Sequence, residues 1–216
     1  MRVRIKICGI TRVEDAAQAV DAGADAIGLM FYERSPRFVS LTKAAEIARA
    51  LPPFVARVGV FVNATPDEVA RAVDAAGLTT LQFHGNESPE TCAQHGGHRV
   101  IKAFRIAARE SLSCLPGYRD CGAWLLDSYT PGQLGGTGAT FNWDLAVEAA
   151  ALGVPILLAG GLTPANVGDA IARVRPFAVD VSSGVEDAPG IKSASRIREF
   201  AAAVRRAEAP AGGSLA

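Results

Sequence analysis

The chain has 216 residues, 49% of them hydrophobic, and its 22 lysines and arginines are matched by 22 aspartates and glutamates. That length buries one sizeable core, and the neutral balance excludes the basic footprint that nucleic acid or an anionic membrane surface calls for. Any anionic ligand must be held by a local site.

Short apolar runs alternate with segments of helical period eight times. Strands are expected over residues 3–8, 26–31, 55–62, 80–83, 99–104, 123–127, 156–159 and 178–181. Helices are expected over 13–22, 42–50, 66–76, 89–94, 108–115, 145–151, 164–174 and 194–206, with Thr11 capping the first and 108–115 the weakest pattern. Eight units of about 27 residues each suit a small (β/α)₈ TIM barrel. A doubly wound open sheet is the alternative, but no G-x-G-x-x-G follows the first strand, and both ends of the chain carry strand-to-glycine transitions. No linker composition interrupts the pattern, so one α/β domain is expected over 1–206, followed by a flexible tail over 207–216.

Cys8, Cys92, Cys114 and Cys121 show no CxxC spacing and the three histidines are scattered, which predicts no metal site and reduced thiols in a cytoplasmic protein. The opening Met1-Arg2-Val3-Arg4 runs into a strand without the pattern of a signal peptide. No apolar stretch reaches the roughly 18 residues of a membrane span. With no exposed apolar stripe in the pattern, a monomer is expected.

In such a barrel the carboxyl ends of the strands carry the chemistry. Cys8 closes the first strand and Asp127 the sixth. After strand seven comes Ala159-Gly160-Gly161-Leu162, and after strand eight Ser182-Ser183-Gly184. Glycines let backbone N–H groups approach an anion, so these loops read as a phosphate cradle, or else as plain tight turns. Strands seven and eight lie between six and one on a closed ring. With strands ~4.8 Å apart and tilted ~36°, Cys8 and Asp127 should stand roughly 9 Å apart at their side chains. A pentose fits that gap and a direct Cys–Asp hydrogen bond does not.

The remaining polar residues have two readings each. Cys8 is a reactive thiolate or a small buried hydrophobe. Asp127 is an acid or a turn carboxylate, and the glycine-rich 132–138 segment after it could fold over a ligand. Arg37 either grips a substrate carboxylate or is solvated. Lys6 either contacts substrate or pairs with a barrel carboxylate such as Asp180, and His84 fits a polar residue packed at the barrel mouth.

Taken together, Lys6-Ile7-Cys8-Gly9-Ile10-Thr11, Phe31-Tyr32-Glu33-Arg34-Ser35-Pro36-Arg37, Leu81-Gln82-Phe83-His84-Gly85, Leu126-Asp127-Ser128, Gly135-Gly136-Thr137-Gly138, Leu158-Ala159-Gly160-Gly161 and Asp180-Val181-Ser182-Ser183-Gly184-Val185-Glu186 are in order and resemble phosphoribosylanthranilate isomerase of tryptophan biosynthesis. The resemblance implies a cofactor-free Amadori rearrangement of a phosphorylated small molecule. It implies Asp127 as general acid at the ribose ring oxygen, Cys8 as general base at C2, Arg37 against the anthranilate carboxylate, and the glycine and serine loops against phosphate. Phe83 stands where that family usually has leucine, and Ser193 where aspartate is common, as an exchanged helix cap.

A free thiol titrates near ~8.5 and an aspartate near ~3.9, so the site is expected to lower one and raise the other, with Lys6 and helix-start amides favouring the thiolate. A lyase of the indole-3-glycerol phosphate synthase type would need a catalytic lysine and glutamate at strand ends. A dual isomerase usually has aspartate in place of the first-strand cysteine. A non-catalytic phosphate-ligand binder would need neither Cys8 nor Asp127.

Overall fold

The computed structural model describes residues 2–128 and 142–208. Its strands are β1 (Arg4–Cys8), β2 (Ala26–Met30), β3 (Ala56–Phe61), β4 (Thr80–Phe83), β5 (Arg99–Ile106), β6 (Ala123–Ser128), β7 (Ile156–Leu158) and β8 (Ala178–Val181). They pair in chain order, all parallel, and β8 returns to β1 with Lys6 opposite Asp180 and Ile7 opposite Val181. This closure leaves neither β1 nor β8 as an edge and settles the choice between barrel and open sheet.

The connections are α1 (Val13–Asp21), α2 (Leu41–Arg49), α3 (Pro66–Ala76), α4 (Pro89–Ala93), a 3₁₀ segment (Arg109–Tyr118), α5 (Trp143–Ala150), α6 (Val167–Val174) and α7 (Ala194–Glu208). Between β8 and α7 a single 3₁₀ turn (Ser183–Val185) leads into a hairpin of β9 (Glu186–Ala188) and β10 (Ile191–Lys192). Three helix starts follow from local chemistry. The hydroxyls of Ser40, Thr65 and Ser88 accept the amides of Lys43, Glu68 and Thr91, and Pro66 and Pro89 occupy first turns where no N–H is needed.

Five expectations are corrected. The segment after β5 is a 3₁₀ stretch, because Pro116 removes a backbone donor and the Ser111 hydroxyl takes the amides of Ala107 and Ala108. α6 starts later than residue 164: Asn166 accepts from the Thr163 amide and donates to the Gly161 carbonyl, tying the preceding residues into a turn. Thr11 is no cap, since its hydroxyl donates to the Gly190 carbonyl, and Ser193 meets the Ser195 hydroxyl at 3.2 Å instead of a helix amide. Ala207 and Glu208 are helical, because Glu208 accepts the Val3 amide and Arg205 donates to the Val3 carbonyl. Residues 209–216 lie outside the described residues.

Alternation along the strands sorts the core into two layers. One set fills the barrel, with Val58, Ile101, Ala103, Ala123, Leu125, Leu157 and Ala178 in a single buried cluster. The other, including Ile5, Ile7, Ile27, Leu29, Leu81, Trp124 and Leu126, packs against the helices. Phe83 belongs to this outer layer and lies 6.1 Å from Phe61 and 5.1 Å from the His95 ring, centroid to centroid. Continued to the strand ends, the inward parity delivers Cys8, Met30, Val60, Gln82, Arg105, Asp127 and Asp180 to one mouth.

Candidate active site

A cavity of about 530 Å³ opens at the carboxyl ends of the strands. Cys8, Arg37, His84, Asp127, Gly160, Gly161, Ser182, Ser183 and Gly184, all expected from the sequence, line it together. Lys6 does not: its ammonium sits on Asp180 Oδ1 at 2.8 Å, one inward layer below, and both side chains are buried. Of its two readings, the barrel ion pair is the one the structure contains.

Cys8 is 7% exposed and faces Gly28 across the β1–β2 ladder. Burial drives the thiol above its usual range; Lys6 and Lys192 oppose that shift, Asp180 adds to it, and the thiol remains raised. The expected lowering by Lys6 is present but outweighed by burial, and Asp180, at contact distance from Lys6, adds to the rise. Burial also disfavours the Lys6 ammonium, yet Asp180 and Cys8 outweigh it and Lys6 holds its proton more tightly than usual.

Asp127 is also buried. Its Oδ1 accepts the Ser128 amide at 2.8 Å, and its Oδ2 lies 3.4 Å from His84 Nε2 without the alignment of a hydrogen bond. His84 Nδ1 is 3.3 Å from Gln82 Nε2, so the imidazole is tied to its own strand end and lies beside Asp127 without bonding to it. Arg105 stands opposite Asp127 in the β5–β6 register and donates to the His84 carbonyl at 3.3 Å. Its Nε is buried with no partner among the described residues.

The loops after β7 and β8 interlock. A Cβ on Gly160 would lie 2.3 Å from the Ser128 amide nitrogen, and one on Gly184 would lie 1.9 Å from the Leu162 carbonyl oxygen. Gly160 and Gly161 also have φ values of 78° and 64°, where side chains are disfavoured. Their amides have no backbone acceptor among the described residues. The helix-start contribution is smaller than expected, since α6 begins only at Val167 and a single 3₁₀ turn follows Ser182.

Arg37 is neither solvated nor without a partner. Its Nε and Nη2 donate to Glu186 at 2.8 and 2.7 Å, and the side chain lies over Gly9, where a Cβ would come within 2.5 Å of Arg37 Cδ. Sequence reading passed over Arg105, Gln82, Glu186 and Lys192. Ending the fifth strand at 104 hid the inward parity that Arg105 shares with Ile101 and Ala103, whereas no local signal joins Glu186 to Arg37 across 149 positions. The 132–138 segment lies outside the described residues.

A model of the family described as N-(5′-phosphoribosyl)anthranilate (PRA) isomerase matches residues 5–203. An N-(5′-phosphoribosyl)anthranilate isomerase of Pseudomonas paraeruginosa is 55% identical over 206 residues, covering 94% of this chain and 95% of its own length. The crystal structure of phosphoribosyl anthranilate isomerase from Thermotoga maritima superposes with a TM-score of 0.90 at 43% identity, over 94% of this chain and 99% of that one. A structure of such an isomerase in complex with reduced 1-(o-carboxyphenylamino)-1-deoxyribulose 5-phosphate has a TM-score of 0.86 at 40% identity, with the same coverage.

Proposed function

The chain belongs to the N-(5′-phosphoribosyl)anthranilate isomerase family, and from that premise we propose how its own residues divide the reaction. The activity is isomerisation of phosphoribosylanthranilate in tryptophan biosynthesis, an Amadori rearrangement that converts an aldose amine to a ketose amine. One proton must reach the ribose ring oxygen and one must leave C2.

Asp127 donates to the ring oxygen, opening the ribose to a Schiff base, and Cys8 removes the C2 proton to give an enolamine that relaxes to the ketone. The supporting observation is that both line one cavity from strands β6 and β1, separated on the ring by β7, β8 and the glycine and serine loops. A sugar phosphate seated on those loops has one group on either side. The amides about Gly160, Gly161, Ser182, Ser183 and Gly184 hold the phosphate, and Arg37 holds the anthranilate carboxylate. His84, on the cavity wall next to Asp127, is assigned a contact with the substrate.

A raised thiol is a stronger base once ionised and a scarcer one at neutral pH. Lys6 therefore acts through Cys8 and not on the substrate, limiting the cost of forming the thiolate. We further propose a monomer acting in the cytoplasm, with acid, base and binding loops carried by one barrel mouth. No helix among the described residues is long and apolar enough to cross a membrane.

The deciding experiment follows loss of anthranilate fluorescence from phosphoribosylanthranilate with the wild type, Cys8→Ala and Asp127→Asn. Turnover abolished or strongly slowed in both variants supports the assignment. A barrel that binds the substrate without turning it over would be a binding protein.

A further inference from the structure

We infer that Glu186 is a positioning residue that ties the carboxylate-binding and phosphate-binding ends of the cavity together, through Arg37 on one side and through Lys192 and Ser182 on the other. This rests on the reading of Arg37 as the partner of the substrate carboxylate.

Glu186 opens β9, directly after the turn that carries Ser183 and Gly184, and its side chain is 5% exposed. Oε2 takes Arg37 Nη2 at 2.7 Å. Oε1 takes Arg37 Nε at 2.8 Å, Lys192 Nζ at 2.7 Å and the Gly190 amide at 3.3 Å. Lys192 Nζ continues to the Ser182 carbonyl at 3.1 Å and the Ser182 hydroxyl at 3.4 Å, while its own amide donates to Asp15. An unbroken chain of charged hydrogen bonds thus runs from the guanidinium to the phosphate loop.

The geometry on Arg37 is selective. A guanidinium has two edges that match a carboxylate, one formed by Nε with Nη2 and one by Nη1 with Nη2. Glu186 takes the first edge, which fixes the plane of the fork and leaves the second whole for another carboxylate. The charges also require Glu186: without it Arg37 and Lys192 would be two buried cations in one corner. With it the corner carries a net charge of +1, suited to a single anionic group. Burial disfavours the Glu186 carboxylate, but Arg37 and Lys192 overcome that and hold it below the usual range.

Glu186→Gln keeps the shape and removes the charge. It should raise KM about tenfold with kcat changed by less than about threefold, because orientation of a bound group is lost while the acid and base remain. Two further readouts separate positioning from general weakening. In an Arg37→Met background, Glu186→Gln should add clearly less than its full tenfold rise in KM, only the several-fold share that its arm to Lys192 and Ser182 contributes, since the fork it orients is gone. Competitive inhibition by inorganic phosphate should weaken several-fold in Glu186→Gln and stay unchanged in Arg37→Met.

If Glu186→Gln does not fold by circular dichroism, Glu186→Asp serves instead. One methylene short of reaching both cations, it should show the same changes in smaller degree. Wild-type KM and phosphate inhibition in a folded Glu186 variant, or KM effects of Glu186→Gln and Arg37→Met that multiply independently, would overturn the inference. An Arg37→Met enzyme with wild-type KM removes the reading beneath it, a failure distinct from an Arg37 effect without a Glu186 effect.

Discussion

Gly28 stands opposite Cys8 in the β1–β2 ladder, and a Cβ at Gly28 would lie 2.8 Å from the Cys8 sulfur and 3.2 Å from Lys6 Nζ. The missing side chain is the space that lets a thiol and an ammonium approach each other inside the barrel. Gly28→Ala should therefore displace the base, lowering kcat about tenfold or more at a stability cost of about 1 to 3 kcal/mol, the range for overpacking a tight site. Kinetics paired with thermal melts will show it. A variant with wild-type kcat would mean that the Cys8–Lys6 contact does not matter to turnover.

Cys8→Ala should lower kcat by roughly 10² to 10⁴, the worth of a positioned base, while affinity for the reduced product analogue survives. Near-normal turnover would remove the thiol from the mechanism.

The raised Cys8 thiol also sets a pH dependence. Activity that needs the thiolate should climb as pH rises toward the alkaline side, more steeply than in a variant whose residual turnover bypasses Cys8. Stability runs the other way. A thiol raised in the folded protein contributes stability that is fully present below its unfolded titration and lost as pH rises from there through its higher folded one. Melting curves of wild type and Cys8→Ala should therefore converge at alkaline pH, and parallel curves would contradict the buried neutral thiol.

Asp127→Asn preserves the shape that meets Ser128 and His84 but cannot donate a carboxylic proton. The loss should fall on kcat, by about 10² or more, with KM little changed. More than about a tenth of the activity remaining would move the acid role elsewhere, and Arg105 and His84 are the neighbours to test next.

Arg37→Met keeps much of the stem and removes the fork. It should cost about 1.5 to 3 kcal/mol in kcat/KM, the range for hydrogen bonds to a charged group. Because a remote carboxylate is held through ring opening, KM should rise more than kcat falls. A large kcat loss at constant KM would place Arg37 at the transition state.

Strands and their ends were legible because alternation and glycine punctuation are local properties. Cys8, Asp127 and the glycine and serine loops each announce themselves within a few residues. The sequence alone allows two readings each for Lys6 and Arg37, since a side chain's partner is set by what the closed ring brings opposite it. The inward parity of Arg105 is not legible locally, because β5 runs on to Ile106, two residues past the end that the apolar pattern predicts.

The sequence by itself determined the order of eight βα units, the acid and base candidates and the glycine and serine loops proposed for phosphate, because these depend on period, composition and position along a strand. Only the tertiary structure decided that Lys6 is neutralised by Asp180, that the Cys8 thiol is raised and not lowered, and that Glu186 occupies one edge of Arg37. The physical reason is that burial and charge pairing act over a few ångströms in space. Barrel closure brings Lys6 against Asp180 and Arg37 against Glu186 from 174 and 149 positions away in the chain.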